Sequence, residues 1–141
     1  MIRPARPSDA AAIAAVEAHV DPAAWSPATV ERFLALPTTV AWVVAEDPVA
    51  HLLTTVVIDE AEVLTVAVHP AHRRRGHAAR LLAHARAAWI EGGVVRAHLE
   101  VREDNAPARA LYEHLGWSPA GRRPRYYRDG TDALLMHLEL P

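Results

Sequence analysis

The sequence predicts a single α/β domain of the α+β kind over residues 1–141, built on a mixed and mostly antiparallel sheet. Three observations predict it. A chain of 141 residues can bury a real core but is too short for two ordinary domains. Strand-like runs and helical patterns alternate from end to end, with no repeat or low-complexity linker between them. One helical pattern joins the strand-like runs 62–68 and 96–101, and such a crossover brings its two strands into the sheet parallel to each other.

In chain order, residues 1–4 read as a short edge strand. Residues 9–19 read as an alanine-rich helix entered through Pro7-Ser8, with Ser8 as its cap, because a serine oxygen can accept from the free N–H groups of a first turn. Pro22 and Pro27 break that helix, and 29–36 forms a second short one. Three strands follow, 39–46, 52–59 and 62–68, made antiparallel by the turns at Asp47-Pro48 and Asp59-Glu60; their apolar runs imply burial on both faces. The helix over 77–91 sets Ala78, Leu81, Leu82, Ala85 and Trp89 on one stripe, leaving Arg80, His84 and Arg86 outside, and Gly92-Gly93 ends it. Residues 96–101 form the next strand, 106–115 a helix, and 117–140 a hairpin.

Composition excludes several function classes. Hydrophobic residues make up 51% and charged residues 23%, and a net charge of −2 gives no global attraction to DNA or to a membrane surface. With no leader-like start and no long apolar segment, a cytoplasmic location is expected. The absence of cysteine removes thiolate metal sites and an acyl-cysteine relay, so an acyl transfer would have to be direct. Nine histidines raise a metal site as a question, but His69, His72 and His77 belong to no HExxH or HxxxH pair, and no metal is expected. No GxSxG elbow of a serine hydrolase is present.

The most informative stretch is 64–82, LTVAVHPAHRRRGHAARLL, where an apolar strand turns through His-Pro into a basic loop and a helix. A helix start presents N–H groups without intrahelical acceptors, at the positive end of the helix dipole, which suits a diphosphate. Gly76 allows close backbone approach, and Arg73, Arg74 and Arg75 add charge. Neither GxxxxGK[ST] nor GxGxxG occurs, so a P-loop and a dinucleotide fold are excluded.

What remains is R-x-x-G-x-A, Arg73 to Ala78, which resembles the coenzyme A loop, [RQ]-x-x-G-x-[GA], of the GNAT N-acetyltransferase superfamily. The likeness extends in order through Leu99-Glu100-Val101-Arg102, Asn105-Ala106-Pro107, Leu111-Tyr112-Glu113-His114-Leu115-Gly116-Trp117 and Arg125-Tyr126-Tyr127. With Trp25-Ser26 near the start, this order is similar to the RimI-type ribosomal-protein-alanine N-acetyltransferases. His69 and His77 depart from the acidic or glycine residues frequent at those places in the family.

The resemblance implies a central sheet of six to seven strands, about four helices, and a parallel pair that splays to admit the pantetheine arm of acetyl-CoA. It implies that Val66, Ala67 and Val68 hydrogen-bond that arm, and that Arg73, Arg74, Arg75, Gly76, His77, Ala78 and Ala79 wrap the diphosphate. Asn105 would cap its helix and touch the cofactor. Glu100 would be general base and Tyr112 general acid; their other readings are a solvent-facing or arginine-paired carboxylate and an aromatic helix anchor. Trp25, Ser26, Tyr126 and Tyr127 would border a groove for a protein N-terminus, with an alanine-starting ribosomal protein of the small subunit as the implied substrate. A small amine, a lysine side chain, and a non-catalytic acyl-CoA-binding module stay open as alternatives. The basic run 122–128 reads either as a partner surface or as a solvated loop.

Overall fold

Alternating burial and backbone pairing assemble seven strands into one sheet in the order β1-β2-β3-β4-β5-β7-β6. The computed structural model describes residues 1–21 and 25–141. The strands are β1 (Ile2–Pro4), β2 (Thr39–Val44), β3 (Ala50–Val57), β4 (Glu60–Val68), β5 (Arg96–Arg102), β6 (Ser118–Arg123) and β7 (Ala133–Glu139). Four helices pack on them: α1 (Ala10–Glu17), α2 (Pro27–Leu34), α3 (His77–Glu91) and α4 (Ala106–His114). All neighbouring strands pair antiparallel except β4 and β5, which α3 joins as a crossover and which run parallel.

The sheet has a core on each face. On one, Leu81, Leu82, Ala85 and Trp89 of α3 meet Leu52, Val63, Leu99 and Met136, and α4 adds Tyr112. On the other, Ile13 and Ala14 of α1 and Val30 of α2 cover Val43 and Leu53. The stripe expected on α3 is the stripe buried, with Ala78 half-buried at its start and Arg80, His84 and Arg86 exposed.

Local chemistry moved several boundaries. Pro7–Asp9 form a separate 3₁₀ turn, and the expected cap, Ser8, lies inside it and is exposed. Asp9 takes over the neighbourhood instead: Oδ2 accepts from the Arg6 N–H at 2.7 Å, and Arg3 grips both carboxylate oxygens at 2.8 and 2.9 Å. That buried pair locks β1 to the turn and holds the Asp9 carboxyl below its ordinary value, the Arg3 hydrogen bond being the main cause. Pro27 opens α2 rather than merely ending α1, since a first-turn proline gives up an N–H that has no partner there. The helix-breaking role expected of Pro22 lies outside the described residues. No described helix is long and apolar enough to cross a membrane.

One feature of the sheet positions the site. The parallel ladder between β4 and β5 contains only Glu60↔Arg96, Ala61↔Ala97 and Glu62↔His98. Beyond Glu62, β4 stays with β3 and β5 stays with β7, so the two strands part. A bulge follows at once, because Thr54 faces Val63 while Leu53 faces Thr65, which leaves Leu64 as the extra residue.

Candidate active site

From Val63 to Val68 the β5-facing edge of β4 has no strand partner, so its peptide groups open into a cleft. Val66 and Val68 are half-buried and Ala67 is buried along it. These are the residues that the family resemblance assigns to the pantetheine arm, and an extended chain with amide groups fits such an edge.

At the end of β4 the chain makes a short turn, Pro70–His72, capped when His69 Nδ1 accepts from the Ala71 N–H at 3.1 Å. The basic loop follows. Arg74 and Gly76 both have positive φ, 64° and 78°, and Arg75 between them does not, an alternation that gathers backbone N–H groups into an anion-binding concavity. Gly76 caps α3 without any side-chain acceptor, so the first N–H groups of the 15-residue helix are left for a ligand. Around them stand Arg73, whose Nε donates to the Val68 carbonyl at 3.3 Å, Arg75 and Arg80. His72 Nδ1 faces an Arg75 nitrogen at 3.2 Å and His77 Nδ1 faces Arg80 at 3.0 Å. Burial, reinforced by Arg80, His72 and Arg75, lowers the His77 value, so its imidazole stays neutral at physiological pH. Neutral His77 thus orients Arg80 without adding repulsion among the arginines.

β5 and α4 carry the candidate proton-transfer groups. On β5, Ala97, Leu99 and Val101 turn into the α3/α4 core, which sends Glu100 to the opposite face. Glu100 lines a groove of about 380 Å³ with Glu62, His98, Arg123 and His137. Arg123 Nε lies 3.1 Å from Glu100 Oε1. The Tyr126 hydroxyl also hydrogen-bonds Glu100, which raises the tyrosine's own value, and the Arg123 guanidinium stacks 5.7 Å from the Tyr126 ring. Tyr127 meets Tyr126 edge-on at 5.2 Å, and Arg102 lies 4.8 Å over its face. Arg102 also binds Asp104 and Asp129, so the far end of β5 fixes the loop that carries both tyrosines.

Tyr112 comes from the other face. It is 7% exposed in the α3/α4 core, tilted against Trp117 at 6.1 Å, and burial pushes its phenol up to about 12, with a smaller effect from Tyr127. Tyr127 in turn is raised by burial and then by Glu100. Glu100 thus projects from one face of the sheet while Tyr112 is buried against the other.

A family model described as the acetyltransferase (GNAT) family matches residues 10–117, a span that includes the strand pair that opens beyond three ladder positions and the uncapped helix over the basic loop. The chain belongs to the GNAT acetyltransferase family. It is accordingly an N-acetyltransferase. It is 41% identical, over 78% of its length and 74% of the relative's, to the [ribosomal protein bS18]-alanine N-acetyltransferase of Salmonella typhimurium. The Escherichia coli enzyme of that name is 43% identical over 64% of each chain. A crystal structure of the ribosomal-protein-S18-alanine N-acetyltransferase from Escherichia coli superposes with a TM-score of 0.91 at 32% identity, covering 99% of this chain and 93% of that one.

Within this GNAT enzyme the sequence-assigned residues divide. Val66 to Val68 end β4 and Arg73 to Ala79 run from the loop after it into α3, while Glu100, Tyr126 and Tyr127 are neighbours on the far side of β5. Asn105 is the cap of α4, its Oδ1 accepting from Ala108 N–H at 3.2 Å. Ser26 is likewise a cap, its Oγ accepting from Thr29 N–H at 3.1 Å, and Trp25 packs edge-on against Phe33 at 6.0 Å. Two of the four arginines in the basic run are paired: Arg122 binds Glu103 and Asp132, and Arg123 binds Glu100. Among the described residues no cluster of His, Asp or Glu is arranged to hold a metal. Sequence reasoning missed Glu62 and His98 in the groove and Arg123 as the partner of Glu100. The parallel register that sets Glu62 beside His98 was the available signal.

Proposed function

We propose that this enzyme moves the acetyl group of acetyl-CoA directly onto the N-terminal α-amino group of a protein, with a ribosomal protein beginning with alanine as substrate. The observation that carries the reading is the opening between β4 and β5, which leaves the β5-facing edge of β4 from Val63 to Val68 without a strand partner and leads into the uncapped start of α3. The relatives' names supply the substrate class. The setting is cytoplasmic, and the chain acts as one domain.

The thioester supplies the activated acetyl group. Val66 to Val68 and the loop from Arg73 to Ala79, with Asn105 at the head of α4, hold the cosubstrate by backbone hydrogen bonds and charge. The acceptor enters along the groove bordered by Tyr126, Tyr127, Trp25 and Ser26. An ammonium cannot attack, so Glu100 takes its proton, directly or through one water. As the sulfur departs, Tyr112 meets it with its O–H. A thiol ordinarily titrates near 8.5, well below the value of about 12 for Tyr112. Tyr112 therefore serves the thiolate first as a hydrogen-bond donor, and the second proton, shed by the attacking nitrogen as the amide forms, ends on the sulfur as coenzyme A leaves.

The test is coenzyme A release by purified protein with short peptides that differ in their first residue, beside amino-blocked and internal-lysine controls. Turnover limited to free N-termini and fastest with alanine supports the reading. Turnover with the blocked, lysine-containing peptide overturns the acceptor assignment, and acetyl-CoA binding without any turnover overturns the catalytic one.

A further inference from the structure

We propose that Glu17 is a positioning residue for acyl transfer: a buried carboxylate that, acting through Thr65, holds β4 at its bulge and so sets the opening between β4 and β5. The proposal rests on reading that opening as the acetyl-CoA site.

Glu17 is the last residue of α1 and is 4% exposed. Its Oε1 lies 2.7 Å from Nε2 of His51, which is 0% exposed on β3, and accepts from the Thr65 hydroxyl of β4 at 2.5 Å. One carboxylate oxygen thus ties a helix to two adjacent strands. The place of the tie matters. β4 leaves β5 after Glu62, inserts the extra residue Leu64, and resumes its register with β3 at Thr65. The end of the ladder, the bulge and the side-chain tie fall within 62–65.

A bulge bends its strand and increases local twist, so the course of β4 beyond it depends on what holds the strand next. β5 is no longer there to do so. The Thr65 hydroxyl is bonded to a fixed carboxylate, and the strand that would present Val66, Ala67 and Val68 starts from that point. Glu17 also ends α1, and its carbonyl accepts from Val20 and Asp21, so the same residue fixes the origin of the segment leading to Trp25 and Ser26.

Stability alone accounts poorly for this cluster. A buried carboxylate is costly to desolvate, and apolar residues of similar volume often replace such groups without loss. The cluster is also incompletely satisfied, since His51 Nδ1 has no hydrogen-bond partner. Proton transfer at Glu100 and Tyr112 makes no use of it. What the cluster does supply is a fixed position for β4 where the sheet divides.

The test uses Thr65→Val, which keeps the shape and removes the donor, with Thr65→Ser as the rescuing change. Thr65 is chosen over Glu17 because removing Glu17 would strip buried His51 of its partner. Acetyl-CoA binding is measured by titration calorimetry, kcat and KM by coenzyme A release, and folding by circular dichroism. The expected result is an acetyl-CoA dissociation constant raised at least about fivefold in Thr65→Val, restored in Thr65→Ser, with kcat at saturation nearly kept. A lower melting temperature with unchanged affinity would mean a merely structural tie and overturns the proposal, as does wild-type behaviour in Thr65→Val. Failure of the wild type itself to bind acetyl-CoA removes the cleft reading and this proposal with it.

Discussion

Arg123 lies against Glu100, its Nε 3.1 Å from Oε1, at the mouth of the groove that an amine would enter. A guanidinium there already occupies the position of the cation that the proposed base must receive. Substrate binding then exchanges one positive group for another. The arginine side chain is more than half exposed, and exposed ion pairs are worth at most about 1 kcal/mol, which limits the effect of losing it. Arg123→Gln should lower the KM for a peptide acceptor by roughly two- to fivefold. Steady-state kinetics at two salt concentrations check this, and a raised KM would show that Arg123 assists binding.

Tyr112→Phe keeps the ring in its contact with Trp117 and removes only the O–H. It should reduce kcat by on the order of a hundredfold while leaving acetyl-CoA affinity nearly unchanged. Single-turnover kinetics separate this from slow product release, and an unaltered kcat would return Tyr112 to the role of aromatic anchor.

The same hydroxyl gives a pH signature. Its value is raised from 10.0 in the unfolded chain to about 12 in the fold. A group raised in this way contributes its stability in full below the unfolded value and loses it as pH climbs through the folded one. The wild type should therefore lose up to about 1.4 kcal/mol per pH unit between pH 10 and about 12 from this residue, and the slope should be shallower by that amount in Tyr112→Phe, where Tyr126 and Tyr127 still contribute. Denaturant melts at pH 9, 10 and 11 measure it.

Arg74 holds a left-handed backbone at φ 64°, which costs a non-glycine residue roughly 1 kcal/mol. Arg74→Gly should thus raise stability by about that amount while weakening acetyl-CoA binding through the lost charge. Melting curves and calorimetry on one preparation would show the two quantities moving in opposite senses. Equal affinity in wild type and variant would take Arg74 out of the diphosphate site.

Ser26 has two assignments that one substitution separates. As the cap of α2 it contributes about 1 kcal/mol, so Ser26→Ala should lower stability by that much. If Ser26 also borders the acceptor groove, the peptide KM rises as well. A stability loss with constant KM would confine it to capping.

Much of this architecture was legible because its signals are local. The stripe Leu81, Leu82, Ala85 and Trp89 has a helical period, and a helix of that length between two strands leaves only a parallel pairing. Residues 73–78 carry the loop chemistry in their own order. What stayed hidden depends on contacts distant in sequence. Ser8 was a reasonable cap until Arg3 and Asp9 paired across the turn. The Arg122-Arg123 run looked like free positive charge, since the carboxylates that neutralise it come from β5 and the segments after β5 and before β7. Glu17 did leave a trace: it falls four residues after Ile13 on the buried face of α1, a place where a carboxylate needs a partner. Naming that partner required β3 and β4 to be in place.

The three-pair seam between β4 and β5 makes the sheet two ladders, four strands on one side and three on the other, with little backbone bonding to join them. A cosubstrate lying in the opening would complete that junction, adding hydrogen bonds where the protein supplies none of its own. Its binding energy would then be folding energy, by mass action. On this reading the persistence of the native sheet rises and falls with the supply of acetyl groups, and the catalyst is sturdiest when it has work to do.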